Sequence, residues 1–208
     1  MALGLAFKGF RDFALVAPES PEDYRRWNPE TGLLPVMDFD GARVPDSSGI
    51  LDWLDAQFPD PPLLARDPRT ARQQRQLESW IGETFYFYWV RWMRERVLAE
   101  EAAERAAVAP GGELARLGIL TRVSELLIDV SERPAERGPE FARRLDDLVG
   151  FLGARPFLYA DEPSRADLTA AAFLRSLERN SIPGGERLLE ARPTLSALLA
   201  RVLDRFGP

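Results

Sequence analysis

The 208-residue sequence predicts a mostly helical α+β protein: a small α/β unit, then an all-helical domain. Three observations carry this expectation. Asp40-Gly41 separates two short apolar runs, a strong hairpin signal because a type I′ turn needs positive φ at both central residues. Pro59-Asp60-Pro61-Pro62 and Pro68 mark a linker, since no helix continues through so many prolines. From Leu77 onward, apolar residues recur at three- and four-residue spacing, the period of a helix with one buried face. The expected units are residues 1–58, a linker at 59–68 and a helical domain at 69–208.

Leu3 to Gly9 reads as the last turns of a helix, with Gly9 as its left-handed C-terminal residue. Phe13-Ala14-Leu15-Val16 reads as a short buried strand. Pro21 to Trp27 is a short helix, with Ser20 as N-cap and Pro21 at the first position, where a missing N–H costs nothing. Asn28 to Gly32 has turn chemistry. Leu34–Phe39 and Ala42–Val44 are the hairpin arms, and Asp46-Ser47-Ser48 opens a helix carrying Ile50, Leu51, Trp53 and Leu54.

Beyond the linker, Leu77, Trp80, Ile81, Phe85, Tyr88 and Trp92 share one helical face. Leu117, Leu120, Val123, Leu127 and Val130 share another, and Phe141, Leu145, Leu148, Val149 and Leu152 a third. Ser164-Arg165-Ala166-Asp167 has capping-box spacing, with Asp where Glu or Gln is preferred. Leu168 to Leu177 continues that helix, and Pro193 begins a last one that runs to about Phe206. A strand-helix-strand unit needs a strand before its first helix. Only Met1 and Ala2 precede Leu3, so Phe13–Val16 is expected to lack a parallel partner.

Composition removes several chemistries. The sequence has no Cys and no His, which excludes a thiol nucleophile, a Cys/His zinc site, a Ser-His-Asp triad and a disulfide. Its net charge of -6 argues against nucleic acid, which rewards clustered basic residues. Arg supplies nearly all the positive charge, and Lys8 is the only lysine. No apolar stretch reaches the roughly 20 residues of a spanning helix, and no secretory signal is visible. A cytoplasmic protein without a membrane partner is expected.

Several motifs in order resemble cytosolic glutathione transferases. Asn28-Pro29 followed by Leu34-Pro35-Val36 resembles that family's turn and cis-proline strand, and Asp46-Ser47-Ser48-Gly49-Ile50 its acidic-Ser signature. Ser164-Arg165-Ala166-Asp167 after Phe157-Leu158 resembles the capping box of its second domain. Arg192-Pro193-Thr194-Leu195 resembles the start of its last helix. The resemblance spans nearly the whole chain. It implies a thioredoxin-like N-terminal domain that binds glutathione as a substrate, with no metal, and a helical domain that lines a pocket for a small hydrophobic electrophile. It also implies a homodimer, and a catalytic hydroxyl or thiol at the first strand or the loop after it. On this alignment that strand is expected before Met1, and no catalytic residue is assigned within the sequence.

The same resemblance assigns individual roles. Ser47 would bind the γ-glutamyl carboxylate and Asp46 the ammonium beside it. Pro35 would be cis and leave the Leu34 main chain to pair with glutathione as an added strand does. Read from their residue types, Ser47 is equally a plain N-cap, Asp46 a solvated helix-start carboxylate and Pro35 an ordinary edge residue. Tyr86, Tyr88 and Trp89 are candidates for the electrophile pocket, with core and dimer interface as the other reading. Ser164 and Asp167 are a structural cap. Arg25 and Arg26 could reach the glycyl carboxylate or stay solvated. In such a site a thiol of pKa near 8.5 becomes mostly thiolate at neutral pH if lowered by about two units, roughly 2.7 kcal/mol.

Overall fold

Residues 1–107, 134–179, 182 and 184–207 are described in a computed structural model of the chain. The apolar face of Leu117, Leu120, Val123, Leu127 and Val130 lies outside them.

Helix α1 (Ala2–Phe7) stops where the sequence places its glycine. Gly9 has φ 86°, its N–H donates to Ala6 O at 3.1 Å, and Phe10 N–H donates back to Leu5 O at 3.0 Å. These are the two bonds of a Schellman stop, and Phe10 packs on the small core that holds Leu5, the apolar contact that often accompanies the motif. Helix α2 (Pro21–Trp27) starts at Ser20, whose N–H donates to Asp23 Oδ2 at 3.0 Å. Asn28 then ties the following turn. Its Nδ2 donates to Thr31 Oγ1 at 2.7 Å and Leu33 O at 3.0 Å, while Gly32 takes the φ of 69° the turn needs.

Strands β1 (Val36–Phe39) and β2 (Ala42–Pro45) pair antiparallel, Phe39 opposite Ala42 and Val36 opposite Pro45. Asp40 and Gly41 have φ of 49° and 82°, the positive pair the hairpin signal requires. Among the described residues the sheet has these two strands only. Phe13–Val16 is therefore a correction: the segment is irregular, with Leu15 77 % and Val16 71 % exposed. An apolar tetrapeptide becomes a strand only where another edge takes its N–H and C=O groups, and no described edge does.

Helix α3 (Ser47–Gln57) buries Ile50, Leu51 and Leu54. The long helix α4 (Pro68–Ala107) buries Leu77, Ile81, Phe85 and Tyr88 on the face the spacing selects. Helices α5 (Pro134–Leu152), α6 (Arg165–Glu178), α7 (Gly185–Glu190) and α8 (Pro193–Phe206) complete the helical part. α6 is central and packs on α4, α7 and α8. Its buried face alternates small Ala166, Ala170 and Ala171 with Leu174 and Leu177, so neighbouring helices approach closely. Phe173 stacks on Phe85 with ring centres 4.3 Å apart.

Two apolar clusters result, and α1 and α3 contribute to both. Leu5, Met37, Ile50 and Leu54 form the small one, whereas Leu3, Phe7 and Leu51 join the large helical one. Gly4 is the point of closest approach, since a β-carbon there would lie 2.6 Å from Leu51 Cδ2. Among the described residues no helix is long and apolar enough to cross a membrane.

Candidate functional site

The hairpin brings two predicted site segments together. Pro35 precedes β1 and Asp46 follows β2, and Asp46 N–H donates to Pro35 O at 3.0 Å. The Leu34–Pro35 bond is cis. Leu34 is 39 % exposed, and its main-chain N–H and C=O have no hydrogen-bond partner among the described residues. A short extended ligand could pair with them.

Asp46 has φ 67° and ψ 142°, a region that costs a non-glycine residue on the order of 1–3 kcal/mol. The bonds around it hold it there. Its Oδ2 accepts from Ser48 N–H and Gly49 N–H, both at 3.1 Å, and its C=O accepts from Ile50 N–H at 2.9 Å. Asp46 is thus the N-cap of α3, and the plain-cap reading of Ser47 does not hold. Ser47 is the first helical residue and is exposed, and its hydroxyl has no partner among the described residues. Its N–H and Oγ stand at the positive end of an eleven-residue helix, where an anion is favoured. Asp46 keeps Oδ1 available for a cation beside that anion. Arg26 is committed to Asp23, with Nη2 2.6 Å from Oδ1. Arg25 is exposed, with its stem lying along Gly32.

Behind Ser47 lies a charged network that crosses between the two parts of the chain. Arg165 is 1 % exposed; its Nη1 meets Asp52, and its Nη2 lies 3.0 Å from Glu78 Oε2 and 3.2 Å from Ser48 O. Glu78 Oε1 accepts from Ser48 Oγ at 2.6 Å. Asp52 also accepts from Arg75. Burial alone would raise the Asp52 carboxyl, but the Arg75 and Arg165 hydrogen bonds hold it below its usual value. The sequence reading misses Arg165, Glu78, Ser48 and Asp52 as a group. Arg165 stands in a first helical turn, where charged residues are ordinarily solvated, and no local spacing marks it or Glu78 as buried.

The aromatic candidates separate. Tyr88 is buried at 4 %, with its ring 5.1 Å from Phe141, and belongs to the core. Residues two apart point to different faces of a helix, so Tyr88 and Tyr86 part, and the core reading is the one the Tyr88 side chain fits. Tyr86 and Trp89 lie toward the surface with their rings stacked 5.9 Å apart. Trp89 and Glu78 are eleven residues apart and so share a face, which places Trp89 about 16 Å along the axis from Glu78 and Tyr86 about 12 Å. Burial pushes the Tyr86 hydroxyl above its ordinary pKa, so it remains a neutral donor.

Ser164 and Asp167 form the cap the sequence marks. Asp167 Oδ2 accepts from Ser164 N–H and Oγ, and Oδ1 from Leu158 N–H, all at 2.8 Å. A cavity of about 520 Å³ near the linker, lined by Phe7, Pro62, Gln74 and Phe206 among others, is separate from the site. On its rim Gln74 Oε1 accepts from Ala65 N–H and Arg205 meets Glu162. Among the described residues no group of three or more acidic side chains gathers as metal ligands would.

The fold has solved counterparts. A glutathione S-transferase from Rhodospirillum rubrum F11 is 24 % identical with a TM-score of 0.62, covering 99 % of this chain and 82 % of its own. The β-etherase LigF from a Sphingobium strain is 22 % identical with a TM-score of 0.67, covering 97 % and 88 %. A glutathione S-transferase from Methylobacterium radiotolerans, in complex with glutathione sulfonate, is 21 % identical with a TM-score of 0.59, covering 99 % and 84 %. No family model and no curated protein matches the sequence. The chain has the glutathione transferase fold, a thioredoxin-like part followed by an all-helical part.

Proposed function

We propose that this chain, having that fold, binds glutathione where the cis-proline loop meets the first turn of α3, and that the bound thiolate is conjugated to a small apolar electrophile where a first strand and its catalytic loop are present; without them the fold serves as a non-catalytic glutathione-binding or protein-interaction module. One observation carries the reading. The Asp46 N–H to Pro35 O bond joins an unpaired Leu34 main chain to a helix N-terminus whose cap is supplied by Asp46, not Ser47. A peptide-like ligand with a carboxylate and an ammonium at one end needs that set. Its backbone pairs with Leu34, its carboxylate accepts from Ser47 Oγ and N–H, and its ammonium meets Asp46 Oδ1. Tyr86 and Trp89 on α4 are the contacts proposed for an apolar second substrate. Two domains, residues 1–58 and 69–208, divide these tasks in a cytoplasmic protein.

Ser47→Ala is expected to weaken glutathione binding by about 1.5–3 kcal/mol, the scale of a hydrogen bond to a charged group. Because Asp46 is the cap, stability should change by no more than about 0.5 kcal/mol, as for other surface substitutions. Titration calorimetry and a melting curve on the same variant check both. Unchanged affinity would remove Ser47 from the site.

A homodimer belongs to the same reading. Phe87 is 37 % exposed, with the buried Arg91 guanidinium 4.0 Å from its ring centre, an apolar surface suited to burial against a second copy. Sedimentation at micromolar concentration should give twice the 23.4 kDa chain mass, and the chain mass itself would count against the dimer.

A further inference from the structure

We infer that Arg165 is a positioning residue: it holds the first turn of α3 against the helical domain, and so fixes where Asp46 and Ser47 present their polar groups. The inference rests on the glutathione reading of that turn. It begins from a cost. A guanidinium 1 % exposed has lost nearly all its hydration, worth several kcal/mol per ion. Fold stability alone does not call for it, since apolar side chains of similar volume usually serve as well or better. Its own pairing is incomplete, because Nε has no hydrogen-bond partner among the described residues.

What the guanidinium supplies is direction. Its donors leave a rigid plane at fixed angles. Here they reach Ser48 O and Asp52 on α3 and Glu78 on α4. Glu78 in turn accepts from Ser48 Oγ. Ser48 is therefore gripped twice, by its carbonyl from α6 and by its hydroxyl from α4. Ser47 and Asp46 are the two residues before it. The gripping residue is itself fixed. Arg165 N–H donates to Leu63 O at 2.8 Å, and the Ser164–Asp167 cap sets the start of α6. The first turn of a helix is where fraying begins, since its N–H groups lack intrahelical partners. Misplacing a binding group by about 1 Å can cost on the order of a hundredfold in the reaction it supports.

The test separates position from stability. Arg165→Met leaves Glu78 buried and unpaired, so it should melt earlier and is uninformative by itself. The double variant R165M/E78M removes both charges and is expected to recover most of the wild-type Tm. It should still bind glutathione about tenfold more weakly, because Ser48 has lost both grips. Amide exchange at Ile50 and Leu51 should quicken about tenfold in the double variant, with Leu195–Val202 unchanged. Arg165→Lys keeps the charge without the planar fork and should fall between wild type and the double variant in affinity. It carries the comparison if the double variant does not fold. A double variant with recovered Tm, wild-type affinity and wild-type exchange overturns the inference. The exchange measurement needs no ligand. A wild-type chain that binds no glutathione would sink the proposed function, and unchanged exchange in the double variant would separately sink the grip on α3.

Discussion

Lys8→Met is expected to destabilise the protein by about 3 kcal/mol, lowering its Tm by about 6–12 °C for a chain of this size. Lys8 is the only lysine, and its side chain is fully buried. All three of its N–H donors are used: Asp55 Oδ1, Phe58 O and Pro61 O each accept at 2.6 Å. The end of α1 is thereby stapled to the end of α3 and to the linker. Removing the ammonium leaves two carbonyls and a carboxylate facing an apolar side chain. Asp55 keeps Leu63 N–H at 2.9 Å and is 28 % exposed, which is why the lower end of the range for a broken buried pair is taken. Lys8→Arg should not rescue, because three acceptors around one point suit an ammonium and not a planar fork. Differential scanning calorimetry of both variants checks this. A loss below about 1 kcal/mol would show that water replaces the staple at little cost.

Asp167→Ala should have a cost of the same order. The Leu158 and Ser164 N–H groups would lose their acceptor in a buried place, at about 1–3 kcal/mol each, or roughly 2–6 kcal/mol together. The pH dependence gives an independent reading. Burial raises the Asp167 carboxyl to about 6, against the hydrogen bonds from Leu158 and Ser164 that favour the ion. In the unfolded chain it titrates near 3.8. Between those values the folded state holds a proton that the unfolded state has released, so stability falls as pH rises from about 4 to about 6. In Asp167→Asn that slope should vanish. Denaturant titrations at pH 4, 5, 6 and 7 on both proteins decide, and parallel curves would mean that Asp167 stays ionised throughout.

Local chemistry was legible and long-range pairing was not. Asp40-Gly41 specifies its hairpin without help from any distant residue, and Gly9, Ser20 and Ser164 mark helix ends because caps are made within a few residues. The Asp46–Ser47 pair was legible as a helix start. Which of the two caps depended on the positive φ of Asp46, which no residue type announces for an Asp. Phe13–Val16 has the composition of a strand, but strand formation depends on a second edge. Tyr88 fits both a core face and a cleft by spacing, and only the position of Phe141 decides between them. Lys8 and Arg165 were the hardest to read. Their partners lie 47 and 113 residues away, and a buried charge looks like a solvated one until those partners are placed.

The central claim is that glutathione binds across Leu34, Asp46 and Ser47. A ¹⁵N–¹H correlation titration of the wild-type chain with reduced glutathione tests it most directly. Shifts should saturate with a single Kd, be largest at the amides of Leu34, Asp46, Ser47 and Ser48, and leave Leu195–Val202 in α8 in place. With Ser47→Ala the same amides should shift only at about tenfold or more higher ligand, the conversion of at least 1.4 kcal/mol. No saturable shift at those four amides, or saturable shifts confined to another part of the chain, would contradict the account.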